Sequence, residues 1–355
     1  MKVAHLTNGH PVFDTRVFHK QCKSLATEGY EVYLVVPHDK DEFVDGVHIK
    51  AINIPKSRFN RIIISTWHIY RVALSLDADI YHLHDPNLIP VGLALKRRNK
   101  IVIFDSHEDF PADMMSKEWI PGGMRKYVSI IYSYIEKYAF PKFDAIIAVH
   151  EQIYERIDKY QPKTFVVKNY PIIDLSFHVV EQRLPRFVWL GLLCPIRSSS
   201  QIDAAMKIQN NSRLDVIGTV LDFKPSSDNI TLLGEFPHKE AMRIASNYLA
   251  GLITYLPAPN HVDAMPNKLF EYMAMGLPVI ASNFPKWRTI IEDVGCGILV
   301  DPNSPQEIAQ AMQWMLDNQR EAFNMGMRGR DAVMHKYSWL SEEKTLLNIY
   351  KGFIK

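Results

Sequence analysis

Asp263-Ala-Met-Pro-Asn-Lys-Leu-Phe-Glu271 runs directly into Tyr272-Met-Ala-Met-Gly-Leu-Pro-Val-Ile-Ala-Ser282. Pro266 has the fixed φ and missing N–H that suit a first helical turn. Gly276 can take the left-handed position that ends a helix, and Pro278 bars continuation. The stretch therefore predicts a short helix and then a buried strand. A helix start gathers unpaired N–H groups and partial positive charge, so a diphosphate can rest there, with Lys268 adding a full charge. Asn267 and Glu271, four apart, share a helix face, which sets the Glu271 carboxylate just beyond the anion, within reach of a ribose diol. Asp263, in the preceding loop, reaches past the phosphates. The same residues also make ordinary helix-start chemistry. What separates the two readings is the pair of carboxylates flanking one phosphate-ready helix, together with the chain around it.

A chain of 355 residues exceeds one ordinary core and predicts two domains. Its apolar fraction of 47% is globular, and a formal net charge of +2 gives no reason to expect a nucleic-acid partner. Cys22, Cys194 and Cys296 are odd in number, far apart and without a CxxC pair, which argues against a disulfide framework and a zinc site and favours a reducing cytoplasm. The N-terminus reaches Gly9 and Pro11 too early for a signal peptide, and no apolar run approaches the roughly 18 residues of a spanning helix. A cytoplasmic protein, free or peripheral on the inner face of the membrane, is expected.

Apolar, β-branched runs alternate with helical segments: Val3 to Thr7, Glu31 to Pro37, Ile80 to His84, Lys100 to Asp105 and Ala145 to Val149. This predicts a parallel sheet covered on both faces. Asp14 is positioned to cap the helix carrying Val17, Phe18 and Leu25. Polar residues crowd two strand ends, Tyr81-His-Leu-His-Asp-Pro-Asn87 and Phe104-Asp-Ser-His-Glu-Asp109, where open α/β sheets collect ligands. His84 and His107 are expected to face a cleft; the clustering also permits a metal, a lesser reading without HExxH spacing. Asp77-Ala78-Asp79 has the form of a DxD pair, but before a strand it reads as turn chemistry. Helical segments from Ser57 to Leu74 and Gly122 to Phe140 mix Arg61, Arg71, Arg125, Lys126 and Lys137 with Ile, Tyr and Val. Either they pack on the sheet or they meet an anionic membrane surface. Periodicity lapses over 171–186, the linker between a first domain at 1–170 and a second at 187–337. Phe187 to Leu192, Leu214 to Ile217, Ile230 to Leu233, Leu252 to Tyr255, Val279 to Ala281 and Ile298 to Val300 form a second strand series. GxGxxG is missing from both halves, which counts against an NAD or FAD enzyme. A terminal helix, 338–355, is expected to cross back to the first domain.

Assembled, these features resemble a retaining glycosyltransferase of family 4, with the GT-B fold of glycogen phosphorylase type. That fold is α/β, two Rossmann-like parallel-sheet domains facing a central cleft. The resemblance spans essentially the whole chain. Its most specific part is the opening stretch, which is similar to the family's acidic-x7-acidic motif followed by Gly-x-Pro-Val-Ile. It implies that Glu271 binds the ribose of a nucleotide-sugar and that Asp263 stands near the donor sugar. Pro266, Asn267, Lys268 and Leu269 would approach the donor from the helix start. Gly191-Leu-Leu-Cys-Pro-Ile-Arg197 resembles the strand-end loop that supplies a second phosphate clamp, Arg197. Asp105-x-His107-Glu108 resembles the motif whose histidine approaches the transferred sugar, Gly9 lies in the loop that nears donor and acceptor, and Gly234-Glu-Phe236-Pro237 resembles the loop holding the nucleobase. Catalytic roles then fall to His107, Arg197, Lys268 and Asp263, and donor contacts to Gly9, Glu108, Phe236, Pro266, Asn267, Leu269 and Glu271.

The implied reaction moves a sugar, UDP-linked by preference, to a hydroxyl of a glycan or lipid-linked saccharide. It uses neither metal nor cofactor, and the departing phosphate helps to deprotonate the acceptor. This chain departs from the pattern with Asp263 in place of glutamate, Pro266 and Ser198 in place of glycines, and Leu192 in place of a common arginine. Two rivals follow: a nucleotide-sugar epimerase of the same fold and a catalytically silent nucleotide-sugar-binding protein.

Overall fold

The computed structural model describes residues 1–53, 58–115, 120–173, 179–262 and 265–353. Asp263 lies outside the described residues, as does the side chain of Arg61. The chain forms two compact units, Met1–Asn169 with Glu342–Lys355, and Tyr170–Ser341.

The first unit is built on β1 (Lys2–Leu6), β2 (Glu31–Pro37), β3 (Glu42–Val44), β4 (Val47–Ile52), β5 (Ile80–Leu83), β6 (Ile101–Ser106), β7 (Ala145–Ala148) and β8 (Thr164–Val166). They pair in the order β3-β4-β2-β1-β5-β6-β7-β8, parallel except between β3 and β4. Five of these strands lie within a residue of their sequence-predicted bounds; β3, β4 and β8 were not predicted. Asp45 and Gly46, with φ of 50° and 82°, join β3 to β4 in a two-residue turn whose left-handed residues match the strand twist. Connections run outward in opposite directions from β1 and β5, so the carboxyl ends of these two strands form the switch point where α/β sheets bind ligands.

The faces of this sheet differ in kind. Ala4, Leu6, Tyr81, Leu83, Val102 and Phe104 pack into an apolar core. Alternation sends His5, His82, His84 and Asp105 to the opposite face, where all four are buried. Polar groups so placed need partners. His5 Nδ1 lies 2.9 Å from His84 Nε2, and His82 Nδ1 lies 2.7 Å from the hydroxyl of Tyr350 on the helix Trp339–Lys351. Asp105 accepts from Arg16 Nε at 2.9 Å, Arg16 Nη2 at 2.8 Å and Gln21 Nε2 at 2.6 Å. Arg16 belongs to the helix Thr15–Cys22, capped by Asp14 through the amides of Arg16 and Val17. Asp77 and Asp79 make turn contacts: Asp77, at φ 47°, pairs with Lys100, and Asp79 accepts from the amide of Lys2.

The second unit holds β9 (Leu184–Leu190), β10 (Arg213–Ile217), β11 (Ile230–Gly234), β12 (Tyr248–Ile253), β13 (Val279–Ser282) and β14 (Gly297–Val300). All are parallel, in the order β11-β10-β9-β12-β13-β14. β9 begins three residues earlier than its expected start at Phe187, because the Leu184 amide already bonds Asn247 O at 2.8 Å. β11 is an exposed edge strand, contrary to its apolar composition. Trp189, Phe270, Tyr272 and Trp287 fill the core. The switch point here falls between β9 and β12.

The helix Asn267–Ala274 ends as its sequence predicts: Gly276 has φ 68°, its N–H bonds Met273 O, and the Leu277 N–H reaches back to Tyr272 O. Its start differs by one residue. Pro266 is the extended cap rather than part of the first turn, with φ −74° and ψ 129°. The Tyr272 hydroxyl accepts from the Leu190 amide at 2.9 Å, which fixes the helix against the end of β9.

Candidate active site

In the second unit, the loop after β9 and the helix Asn267–Ala274 converge on one cavity of about 470 Å³, lined by Arg197, Tyr255, His261, Pro266, Asn267, Lys268, Glu271 and Trp287. A second cavity of about 380 Å³ includes Gly191, Thr219, Glu235, Phe236 and His238, and has Lys268 and Glu271 in its wall as well. Of the sequence-predicted site residues, Arg197 and Lys268, expected to be catalytic, and Pro266, Asn267, Glu271 and Phe236, expected to contact the donor, line these cavities. Leu269 does not: its side chain is fully buried in the core, and its N–H bonds Pro266 O at 3.1 Å.

Arg197 is held from two sides. Its Nη1 donates to Leu192 O at 3.0 Å, and its guanidinium stands 5.1 Å from the centre of the Tyr255 ring. Ser198 follows in the left-handed region at φ 52°, which accounts for the glycine common at this place; here the serine hydroxyl bonds Thr254 instead. Burial pushes the Lys268 ammonium below its ordinary range; Glu271 opposes that shift and Arg197 adds to it. Two cations face one cavity, an arrangement an anion would relieve. Glu271 lies 3.1 Å from His238 Nε2.

The first unit places its polar residues at the ends of β1, β5 and β6. His107 Nε2 lies 3.1 Å from His84 Nδ1 and 3.4 Å from Asp105 Oδ2. Burial lowers the His107 imidazole to about 4 against the pull of Asp105, so it is neutral near pH 7. Burial alone would raise the Asp105 carboxyl, but Arg16, His107 and His84 outweigh it and hold it well below its usual range. Glu108 is exposed and its carbonyl accepts from Ser106 Oγ at 3.1 Å. Two groups, His5-His82-His84 and His84-Asp105-His107, bring ligand atoms within 4.8 Å of one another. Arg16, bonded to both oxygens of Asp105, already supplies positive charge there, which disfavours a metal cation beside it.

Gly9 touches a residue that the sequence reading did not single out. Asp85 Oδ2 accepts from the Thr7 hydroxyl at 2.7 Å, the Asn8 amide at 2.8 Å and the Gly9 amide at 3.2 Å. A Cβ at Gly9 would lie 2.4 Å from Asp85 Oδ1, so the loop wraps the carboxylate only with glycine there. Arg16, His10, Tyr255, His261 and Trp287 were also missed. Asp85 lay within a stretch already marked as a strand end, whereas His10 lay in no marked stretch; their positions after β5 and β1 were the available signal.

Comparison with known proteins assigns the fold. Sucrose-phosphate synthase from Thermosynechococcus elongatus superimposes with a TM-score of 0.71 at 16% identity, covering 99% of this chain and 98% of that one. Anabaena HepE in complex with UDP gives 0.71 at 11% identity, covering 99% and 100%. Residues 15–176 match the model of Glycosyltransferase Family 4, and residues 187–318 that of Glycosyl transferases group 1. A D-inositol 3-phosphate glycosyltransferase from Corynebacterium kroppenstedtii is 31% identical over 112 residues, 32% of this chain and 24% of that protein. The chain spans less than two thirds of the curated relatives it matches.

Two mostly parallel α/β sheets with these structural neighbours define a two-domain, Rossmann-like GT-B fold. With both family models matched in order along it, the chain belongs to the family 4-like glycosyltransferases.

Proposed function

We propose that this protein transfers a sugar from a nucleoside diphosphate donor, a UDP-sugar by preference, to a hydroxyl of a glycan or lipid-linked saccharide. The product keeps the anomeric configuration of the donor and belongs to a surface polysaccharide. The observation that carries this reading is the pairing of Arg197 and Lys268 on one cavity with the helix start at Asn267 and the carboxylate of Glu271. As the diphosphate leaves, its growing charge meets two cations and a helix start; this stabilisation needs no metal in the proposed reaction. Glu271 accepts from the ribose, and Phe236 offers the base a ring in the second cavity. The preference for UDP is supported by structural neighbours solved with UDP or UDP-glucose.

A peripheral membrane site for the first unit is favoured by the helix Gly122–Ala139. Tyr127, Ile131, Tyr134 and Tyr138 stand exposed at three- and four-residue spacing, with Arg125, Lys126 and Lys137 on the same helix. Such a face suits an anionic lipid surface. Among the described residues no helix is long and apolar enough to cross a membrane.

The test is a screen of purified protein against UDP-, GDP- and dTDP-sugars, following nucleoside diphosphate release with and without a membrane lipid extract. Release that requires the extract supports transfer and names the donor. Conversion of the sugar without acceptor would instead make the protein an epimerase, and binding without release a silent binder.

A further inference from the structure

The cavity that holds Arg197 and Lys268 has an imidazole in its wall, His261. This histidine sits on the short helical turn Pro259–Val262 and is 7% exposed. Its Nδ1 lies 3.0 Å from Leu256 O, and its ring centre lies 5.0 Å from that of Tyr255.

The contact with Leu256 fixes the tautomer. A carbonyl oxygen only accepts, so Nδ1 carries the hydrogen and the neutral ring presents Nε2 as a bare lone pair. Among the described residues the bond to Leu256 is the one side-chain hydrogen bond of His261, which leaves Nε2 to a ligand.

The backbone that holds the ring is pinned at three consecutive residues. The Ser198 hydroxyl bonds Thr254 Oγ1 at 2.9 Å, Ser282 Oγ donates to Tyr255 O at 2.7 Å, and the Leu256 amide donates to Ile196 O at 3.0 Å. Ile196 and Ser198 flank Arg197, so the segment that orients His261 is tied to the loop that carries the cation. Such support keeps a ligand-facing side chain in register.

A bare imidazole nitrogen takes a proton donor and repels an anion. Of the parts of a nucleotide-sugar, the diphosphate has no proton to give and meets Arg197 and Lys268, the ribose meets Glu271, and the base meets Phe236 in the second cavity. The sugar remains, and its hydroxyls donate. Tyr255 and Trp287, with ring centres 5.5 Å apart, add an aromatic wall to the same cavity, suited to the C–H face of a pyranose.

We infer that His261 is a specificity-determining residue that accepts, through Nε2, a hydrogen bond from a hydroxyl or amide N–H of the transferred sugar. This rests on the transferase reading above and lies wholly within the second unit. The donor sugar then carries a proton-donating group where it faces His261, and fluorine in place of that group makes a poorer ligand.

The experiment measures, by calorimetry, binding of UDP, GDP, UDP-glucose, UDP-N-acetylglucosamine and GDP-mannose to wild type, His261→Asn and His261→Gln. The asparagine amide can stand where Nδ1 stood and keep the bond to Leu256 with nothing at Nε2; the longer glutamine reaches the place of Nε2. The nucleotide-sugar that wild type binds should lose about 3–10-fold in affinity with His261→Asn, recover part of it with His261→Gln, and leave the affinity for the bare nucleotide unchanged. Replacing the hydroxyls of that sugar by fluorine in turn should give one analogue that wild type binds more weakly and His261→Asn binds as well as the parent. Equal losses for nucleotide and nucleotide-sugar would put His261 on the phosphates, and unchanged affinity for both would leave it no ligand; either overturns its role and leaves the transferase reading standing. Wild type that binds UDP or GDP but none of the nucleotide-sugars has no sugar subsite in this cavity, which overturns the role of His261 alone. Wild type that binds none of these compounds overturns the transferase reading, and the role of His261 with it.

Discussion

Lys268 Nζ stands 2.6 Å from the place a Cβ would occupy on Gly191, which has φ 84°. The glycine therefore does two things at the end of β9: it turns the chain through a left-handed conformation and leaves room for the ammonium. Gly191→Ala must displace Lys268 and strain the backbone, the latter costing about 1–2 kcal/mol. The expected result is a modestly lowered melting temperature and at least tenfold weaker binding of the nucleoside diphosphate by calorimetry. Unchanged affinity would show that Lys268 does not clamp the phosphates.

Arg197 and Glu271 should separate kinetically once a donor is in hand. A carboxylate on the ribose holds ground state and transition state alike, so Glu271→Ala should raise KM with kcat little changed. Arg197 meets charge that grows as the diphosphate departs, so Arg197→Ala should lower kcat by about 10²–10³-fold. Steady-state kinetics of both variants decide it, and an unaltered kcat in the arginine variant contradicts its role.

The sequence carried much of the second unit because its signals are local. Proline, glycine and an apolar run mark where the helix Asn267–Ala274 begins and ends, and Asn267 and Glu271 share a face by spacing alone. Leu269 shows the limit: a residue beside the phosphate-facing positions points into the core, because adjacent helical residues are about 100° apart. In the first unit the decisive contacts span the chain. Arg16 meets Asp105 across 89 residues, and Thr7 meets Asp85 across 78. Nothing in a strand-by-strand reading brings those together; strand order does, by setting β1 beside β5 and β5 beside β6. The β3–β4 hairpin was not predicted, although Asp45-Gly46 is a pair that signals a two-residue turn.

The ion pair of Arg16 and Asp105 supplies a stability test. Both side chains are almost wholly buried. Removing only the cation leaves a buried carboxylate uncompensated, so Arg16→Met should cost about 3–5 kcal/mol in urea denaturation. Asp105→Asn in the same chain removes that charge, and the double variant should be more stable than Arg16→Met alone. A double variant no better than the single would place the loss in the packing of the arginine stem.

Lys20 gives the first unit a pH dependence of its own. It is buried, donates to Asn169 Oδ1 at 2.6 Å, and burial with repulsion from Arg16 lowers its ammonium to about 7, against some support from Asp14. The unfolded chain keeps an ordinary lysine near 10.4. Between pH 7 and about 10.4 the unfolded state binds more protons, so folded stability rises with pH across that window. Below 7 both states are charged and this contribution is flat. Lys20→Met removes the titration along with the contact to Asn169. The stability of wild type relative to Lys20→Met should therefore climb from pH 7 to pH 9 in parallel denaturant titrations. A difference that stays constant over that range would mean that Lys20 keeps its proton in the folded protein, with Asn169 outweighing burial.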